Sequence, residues 1–325
     1  MKTVFVTGGT GFLGGVLIHT LSKQGIHIKA LVRNPQKADK IAHLAGVELV
    51  NGDLTTDTAW MDSALTGVDV VFHVAAALGG DMAEQRAINV EATQALALAS
   101  AKAGVGRFVH VSSIAVYGYP YTETITEDAP LMPKPSNYIY AVTKAEGETA
   151  LIEVASANNL PYTIIRPGMI YGAHSHTWTK TMFSLAKRKP TPFIGNGSGL
   201  SAPIYVDDVV DMLITCATHP NSVGQAFNAT PDPAPTWRMF LGAYSQLAGH
   251  HHWLPIPPLM AKFLIAVIRI FRKDMIGIKF LRYITEKTTY SAQKSRDLLG
   301  WSPKISLEEG VKRCIPYLKE KGLLK

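Results

Sequence analysis

A chain of 325 residues exceeds one ordinary core, and with 47% hydrophobic and 18% charged residues it has ample apolar surface to bury, which excludes a disordered polypeptide. The net charge of +7 sits in the tail, where residues 258–325 carry 15 Lys or Arg against 6 Asp or Glu. No motif accompanies that tail to make it a nucleic-acid surface, so it suits solvent, a phosphorylated substrate or anionic lipid. Cys216 and Cys314 supply neither a disulfide framework nor metal-ligand spacing, and a cytoplasmic location is expected.

The N-terminal run Val4-Phe5-Val6 is too short for a targeting segment and reads as a strand, Thr3 to Val6. Similar runs follow at Ile28 to Val32, Val47 to Val50, Val68 to Val74 and Phe108 to Val111. Their near-continuous hydrophobicity is that of a parallel sheet. Phe12 to Lys23 and the Ala- and Leu-rich Ala83 to Ala103 between them read as crossover helices. A helix over Tyr138 to Ala157 leads to a further strand, Tyr162 to Arg166. The fold class is therefore α/β, a doubly wound parallel (Rossmann) sheet with a smaller, mixed C-terminal substrate lobe.

After Arg166-Pro167 the rhythm breaks, with Pro190, Pro192, Gly195, Gly197 and Gly199 marking loops. Ile204 to Val206 and Gln225 to Asn228 still read as strands flanking a helix from Asp207 to Thr218. Residues 1–170 are thus assigned to the dinucleotide-binding domain, with parts of 200–230 returning to it, and residues 171–199 and 231–325 to the substrate lobe. Leu259 to Lys273 is apolar around most of its circumference, with Lys262, Arg269 and Lys273 aligned in a basic stripe. The lysine and arginine interrupt it too early for a membrane span, leaving a pocket roof or peripheral membrane contact.

Thr7-Gly8-Gly9-Thr10-Gly11-Phe12-Leu13-Gly14 follows a strand and opens a helix, the context a dinucleotide fingerprint requires. Gly8 allows the tight turn, Gly11 admits the pyrophosphate to the backbone, Gly14 allows close packing, and the helix start offers free N–H groups to the anion. About 20 residues on, where NAD-selective sites place a carboxylate, stands Arg33, with Lys37 nearby. A guanidinium there pairs with a 2′-phosphate, so NADP is expected over NAD.

Tyr140-Ala141-Val142-Thr143-Lys144 places a phenol and an amine one helical turn apart, where the cation is expected to draw the phenol pKa down toward the working range. Tyr283 with Lys287 repeats the spacing, but Tyr140 follows the fifth strand, at the edge where open α/β sheets bind ligands. That strand ends in Ser112-Ser113, whose hydroxyls stand ready for a substrate oxygen. His250-His251-His252 does not read as a metal site, because consecutive side chains cannot converge on one ion.

With these motifs in order, the sequence resembles an extended short-chain dehydrogenase/reductase over nearly its whole length. The likeness rests on Thr7 to Gly14, Gly52-Asp53-Leu54, Val71-Phe72-His73-Val74-Ala75-Ala76, Asn89-Val90, Ser113 to Gly118, Tyr140 to Lys144, Arg166-Pro167, Tyr171-Gly172, Tyr205 to Asp208 and Leu299-Gly300-Trp301. The resemblance implies that Ser113 orients the reacting oxygen, Tyr140 exchanges its proton, and Lys144 binds the nicotinamide ribose. It further implies that Thr10, Phe12 and Leu13 line the turn, Asp53 and Leu54 flank the adenine, Ala75 lines the cleft, and Pro167 with Gly168 passes the nicotinamide. Asn89 is read as a brace, and a homodimer is expected.

The Val71 to Ala76 phrase, Arg33 and the apolar 254–271 region resemble the hydroxysteroid dehydrogenase and dihydroflavonol reductase branch, hence an NADP-dependent reductase of a hydrophobic ketone or aldehyde. Trp178, Phe183, Trp253, Leu259, Met260 and Phe263 are candidates for its pocket. Nucleotide-sugar epimerases or dehydratases retaining NAD(P) are the alternative. Their pattern commonly has Arg-Asp where this chain has Ser201-Ala202, with Lys180, Lys187 and Arg188 as substitute cations.

Overall fold

The computed structural model describes residues 1–56, 58–118, 124–131, 138–263, 281 and 284–325. The first apolar runs become β1 (Thr3–Thr7), β2 (His27–Val32), β3 (Val47–Asn51), β4 (Val70–His73) and β5 (Arg107–Val111). Then come β6 (Thr124–Ile125), β7 (Tyr162–Pro167), β8 (Met169–Tyr171), β9 (Thr191–Ile194), β10 (Pro203–Tyr205), β11 (Gln225–Ala229), β12 (Trp253–Ile256) and β13 (Thr289–Tyr290). Seven of these form one sheet in the order β11-β7-β5-β4-β1-β2-β3, and every pairing in it is parallel. All residues of β4 and β5 are buried, as strands covered on both faces must be.

Up to residue 247 the helices are α1 (Phe12–Lys23), α2 (Asp39–Ala42), α3 (Trp60–Leu65), α4 (Met82–Arg86), α5 (Ala92–Lys102), α6 (Ile139–Asn158), α7 (Met182–Ala186), α8 (Val206–Thr218) and α9 (Trp237–Leu247). Leu13, Leu17 and Leu21 recur every four residues along α1, so they share the face that packs with Val209 and Leu213 of α8 on one side of the sheet. Leu65 of α3, Leu96 of α5 and Leu151 of α6 cover the other side. The strand order reverses between β1 and β4, which opens a crevice at their carboxyl ends.

The single helix expected over Ala83 to Ala103 is interrupted by a π turn at Ala87–Glu91. Propensity alone could not reveal it, because the turn is held by the tertiary bonds of Asn89 described below. Past β7 the chain leaves the sheet and returns: β10 lies beside β8, α8 beside α1, and β11 completes the edge against β7. Outside the main sheet β12 pairs with β9 and β13 with β6. Of the 259–273 stretch, residues 264–273 lie outside the described residues, as does Tyr283. Leu259, Met260 and Phe263 are 79%, 47% and 68% exposed. Among the described residues no helix is long and apolar enough to cross a membrane.

Candidate active site

Because the sheet is parallel, whatever follows each strand falls on one edge, and the candidate residues do so at nearly constant offset. Gly8, Arg33 and Gly168 stand one residue beyond β1, β2 and β7; Asp53, Ala75 and Ser113 stand two residues beyond β3, β4 and β5. Pro167 is the last residue of β7, opposite Ala229 of β11.

The turn after β1 fits a dinucleotide pyrophosphate. Gly8 has φ +70°, and a Cβ on it would stand 2.8 Å from the Ala75 amide nitrogen; a Cβ on Gly14 would lie 2.2 Å from the Gly8 carbonyl. Any side chain at either place would fill the cradle. Gly11 N-caps α1 with no side chain bonded across the helix start, so the first-turn amides are open to an anion. Thr10 is exposed and Phe12 half-buried, whereas the Leu13 side chain belongs to the core, so Leu13 faces the turn only through its backbone.

At the far end of the crevice Arg33 and Lys37 are both exposed, Lys37 in a single turn that Asn34 caps through the Gln36 amide at 2.9 Å. Asp53 accepts from the Thr55 amide at 2.9 Å and hydroxyl at 2.8 Å, and its pKa is lowered chiefly by the first of these bonds, with a contribution from the Arg33 charge. Leu54 is half-buried against the helices of that face.

Ser113 Oγ accepts from the Ala115 amide at 3.1 Å, capping the turn Ile114–Tyr117. Burial raises the Tyr140 phenol pKa, and the nearby Ser113 hydroxyl opposes that shift. This corrects the expectation of a phenol drawn down by its neighbouring amine. Lys144 directs its amine into the sheet, donating to the Val111 carbonyl at 2.8 Å and meeting His110 Nε2 at 3.3 Å. Burial pushes the amine down to about 8, while the Glu148 carboxylate, one turn further along α6, pulls it up.

Beneath the crevice runs a buried polar row of which sequence reading named only the Asn89 brace. Thr7 Oγ1 accepts from the Val74 and Ala75 amides, both at 3.1 Å, so its proton goes to His73 Nδ1 at 2.8 Å. His73 therefore carries its proton on Nε2 and donates it to Thr93 Oγ1 at 2.9 Å; Thr93 donates to the Asn89 carbonyl at 2.9 Å. Burial drives the His73 pKa to about 3, with Lys144 adding to the effect. The Asn89 side chain accepts from Ala77 N at 2.8 Å and donates to Ala77 O at 3.1 Å and Thr143 Oγ1 at 3.0 Å, bracing the loop after β4 against the helix that carries Tyr140. A signal existed in the sequence: a histidine and a threonine at the ends of neighbouring apolar strands.

Of the pocket candidates, Phe183 is wholly buried and stacks edge-on with Tyr244, so it belongs to the core. Trp253 packs on Phe193 at 4.7 Å, and Trp178 meets Trp237 at 6.3 Å. His174 packs on Tyr317 at 4.8 Å, and His250 donates into the chain at the Ala186 carbonyl. Ser201 is buried, its hydroxyl donating to the Pro235 carbonyl at 2.8 Å.

The model of the NAD dependent epimerase/dehydratase family matches residues 4–230. A 3beta-hydroxysteroid-dehydrogenase/decarboxylase of Arabidopsis thaliana, isoform 1, is 28% identical over an alignment covering 95% of this chain and 78% of its own. UDP-glucose 4-epimerase of Mycolicibacterium smegmatis is also 28% identical, covering 99% of this chain and 100% of its own. Among solved structures, UDP-glucuronic acid 4-epimerase from Bacillus cereus in complex with NAD shares the fold, with TM-score 0.78 at 20% identity over 98% of this chain and 97% of that one.

Proposed function

The chain belongs to the NAD dependent epimerase/dehydratase family, of NAD(P)-dependent enzymes acting on CH–OH groups, and from that premise we propose that it interconverts an alcohol and a ketone or aldehyde on a hydrophobic small molecule, with NADP preferred. The observation that carries this reading is the placement of Ser113, just beyond β5, where it acts on the Tyr140 phenol of α6, one helical turn from the buried amine of Lys144.

When bound, the nicotinamide supplies or takes up the hydride. Gly8 to Gly14 would hold its pyrophosphate, Asp53 and Leu54 its adenosine side, Ala75 would line the cleft, and Pro167, Gly168 and Lys144 would hold its nicotinamide side. Ser113 holds the substrate oxygen by a hydrogen bond. Tyr140 gives its proton to that oxygen during reduction and recovers it during oxidation; because burial keeps the phenol protonated, the resting protein is loaded for donation. The exposed Arg33 and Lys37 support a 2′-phosphate partner.

Two features support an apolar substrate. Ser201, at the place where sugar-nucleotide enzymes commonly carry arginine, is buried and already bonded to Pro235, so it offers a phosphate nothing. The hydroxysteroid relative matches most of this chain. Purified protein should oxidise NADPH with members of a panel of hydrophobic ketones and aldehydes, and Tyr140→Phe should lower that rate at least about 100-fold. No turnover across the panel would sink the reading.

A second reading, epimerisation or dehydration of a nucleotide sugar with retained cofactor, is favoured by the full-length match to UDP-glucose 4-epimerase and by exposed Lys187 and Arg188. Dinucleotide co-purifying with the protein, together with a thermal shift from uridine diphosphate, would favour it. A cytoplasmic homodimer with peripheral membrane contact through 259–273 completes the proposal; sedimentation tests the dimer and vesicle flotation the membrane contact.

A further inference from the structure

His110 has no part in the reading above, yet it faces the amine on which that reading depends. It lies on β5 with no exposed surface, opposite His73 of β4 in the parallel register and stacked on it at 5.3 Å between ring centroids. Its Nε2 stands 3.3 Å from Lys144 Nζ, and the next residue in the strand supplies the carbonyl that the amine also reaches, at 2.8 Å. An ammonium has only donors, so Nε2 must accept and the imidazole proton must sit on Nδ1.

We propose that His110 is a positioning residue for Lys144: its neutral ring nitrogen and the Val111 carbonyl form a two-point acceptor that fixes the amine and strengthens its hold on a proton. The ring serves as acceptor only while uncharged, and burial, Lys144 and His73 all hold its pKa well below the ordinary histidine value. The other groups bearing on the amine come from neighbouring elements. Glu148 of α6 favours the ammonium and is itself paired with Arg166 of β7. Tyr140 lies one turn back on α6, and His73 faces from β4; among the described residues the neutral Thr93 and Asn89 reach His73 and Thr143 from the neighbouring helical segment.

The importance of His110 for catalysis rests on the proposed Tyr140 and Lys144 chemistry, but its effect on the amine does not. Lysine labelled with carbon-13 at Cε allows the Lys144 titration to be followed in the ligand-free protein, with Lys144→Arg to assign the signal. Wild type should titrate near 8. In His110→Leu the midpoint should fall by about one pH unit, a tenfold weaker hold on the proton. His110→Gln, whose amide oxygen can still accept, should recover most of that fall, and the alkaline limb of NADPH-dependent turnover should move in parallel.

An unchanged midpoint in a folded His110→Leu protein overturns the proposal. If that variant does not fold, His110→Asn against His110→Gln decides: the shorter amide should give the lower midpoint, and equal midpoints overturn the idea. A wild type that reduces no carbonyl while these midpoints move as expected sinks the functional reading and leaves the role of His110 standing.

Discussion

Arg166 and Glu148 form a bidentate ion pair inside the protein, with Nη2 2.6 Å and Nε 3.0 Å from the carboxylate oxygens and both residues almost wholly buried. The remaining guanidinium nitrogen donates to Tyr117 Oη at 2.8 Å and the Glu127 carbonyl at 3.0 Å, and Tyr117 donates to Asn228 at 2.7 Å. One network thus joins α6, β7 and β11 behind the Tyr140 and Lys144 helix. Removing one partner strands a charge, so Glu148→Ala should cost about 3–5 kcal/mol in chemical denaturation. A loss below 1 kcal/mol would mean that water reaches the guanidinium.

Gly8→Ala should weaken cofactor binding while leaving the chain folded. The new methyl would meet the Ala75 amide at 2.8 Å in a backbone conformation with φ +70°, displacing the loop that closes the cleft. Titration of NADPH fluorescence should show at least about tenfold weaker binding, a loss of about 1.4 kcal/mol. Equal affinity would place the dinucleotide elsewhere.

Arg33→Ala should weaken NADPH binding roughly 10- to 100-fold, the worth of a charge-assisted bond to phosphate, and leave NADH binding within about twofold. Parallel titrations with the two cofactors check this. Equal losses for both would remove the 2′-phosphate assignment.

Acid should destabilise the fold through the buried imidazoles. The folded-state pKa of His73 is depressed from 6.5 to about 3, so the unfolded chain binds the extra proton first. Its contribution is complete above pH 6.5 and is lost as pH falls from 6.5 toward 3, on the order of 4–5 kcal/mol over that window. His110 acts in the same direction. Urea midpoints measured from pH 7 to pH 4 should fall steadily; in His73→Gln, where nothing titrates at that position, the fall should be shallower.

Strands and helices were readable wherever burial and local chemistry coincide. Helix α1 runs from Phe12 to Lys23 as expected, because Gly11 sets its start and a four-residue spacing of leucines sets its buried face. The glycine cradle was readable because its pattern lies within eight consecutive residues, although Gly8 is also confined by Ala75 of the loop after β4. The contact of His110 with Lys144 was not, since 34 residues separate them and only the strand register brings them together. Phe183 misled for the opposite reason: nothing in a short irregular segment distinguishes an aromatic lining a pocket from one packed on Tyr244. The direction of the Tyr140 shift also depended on tertiary structure, because spacing along a helix does not say where the amine points.

The offset of one or two residues between each strand's end and its candidate residue divides the molecule by mutability. A loop can lengthen past Asp53 or Ala75, at the exposed residues 55–56 and 78–80, without moving the β-ladder that holds those residues, whereas Gly168 runs directly into β8. Recombination at these positions should therefore exchange substrate preference between members of this architecture while carrying the proposed Ser113, Tyr140 and Lys144 set over intact.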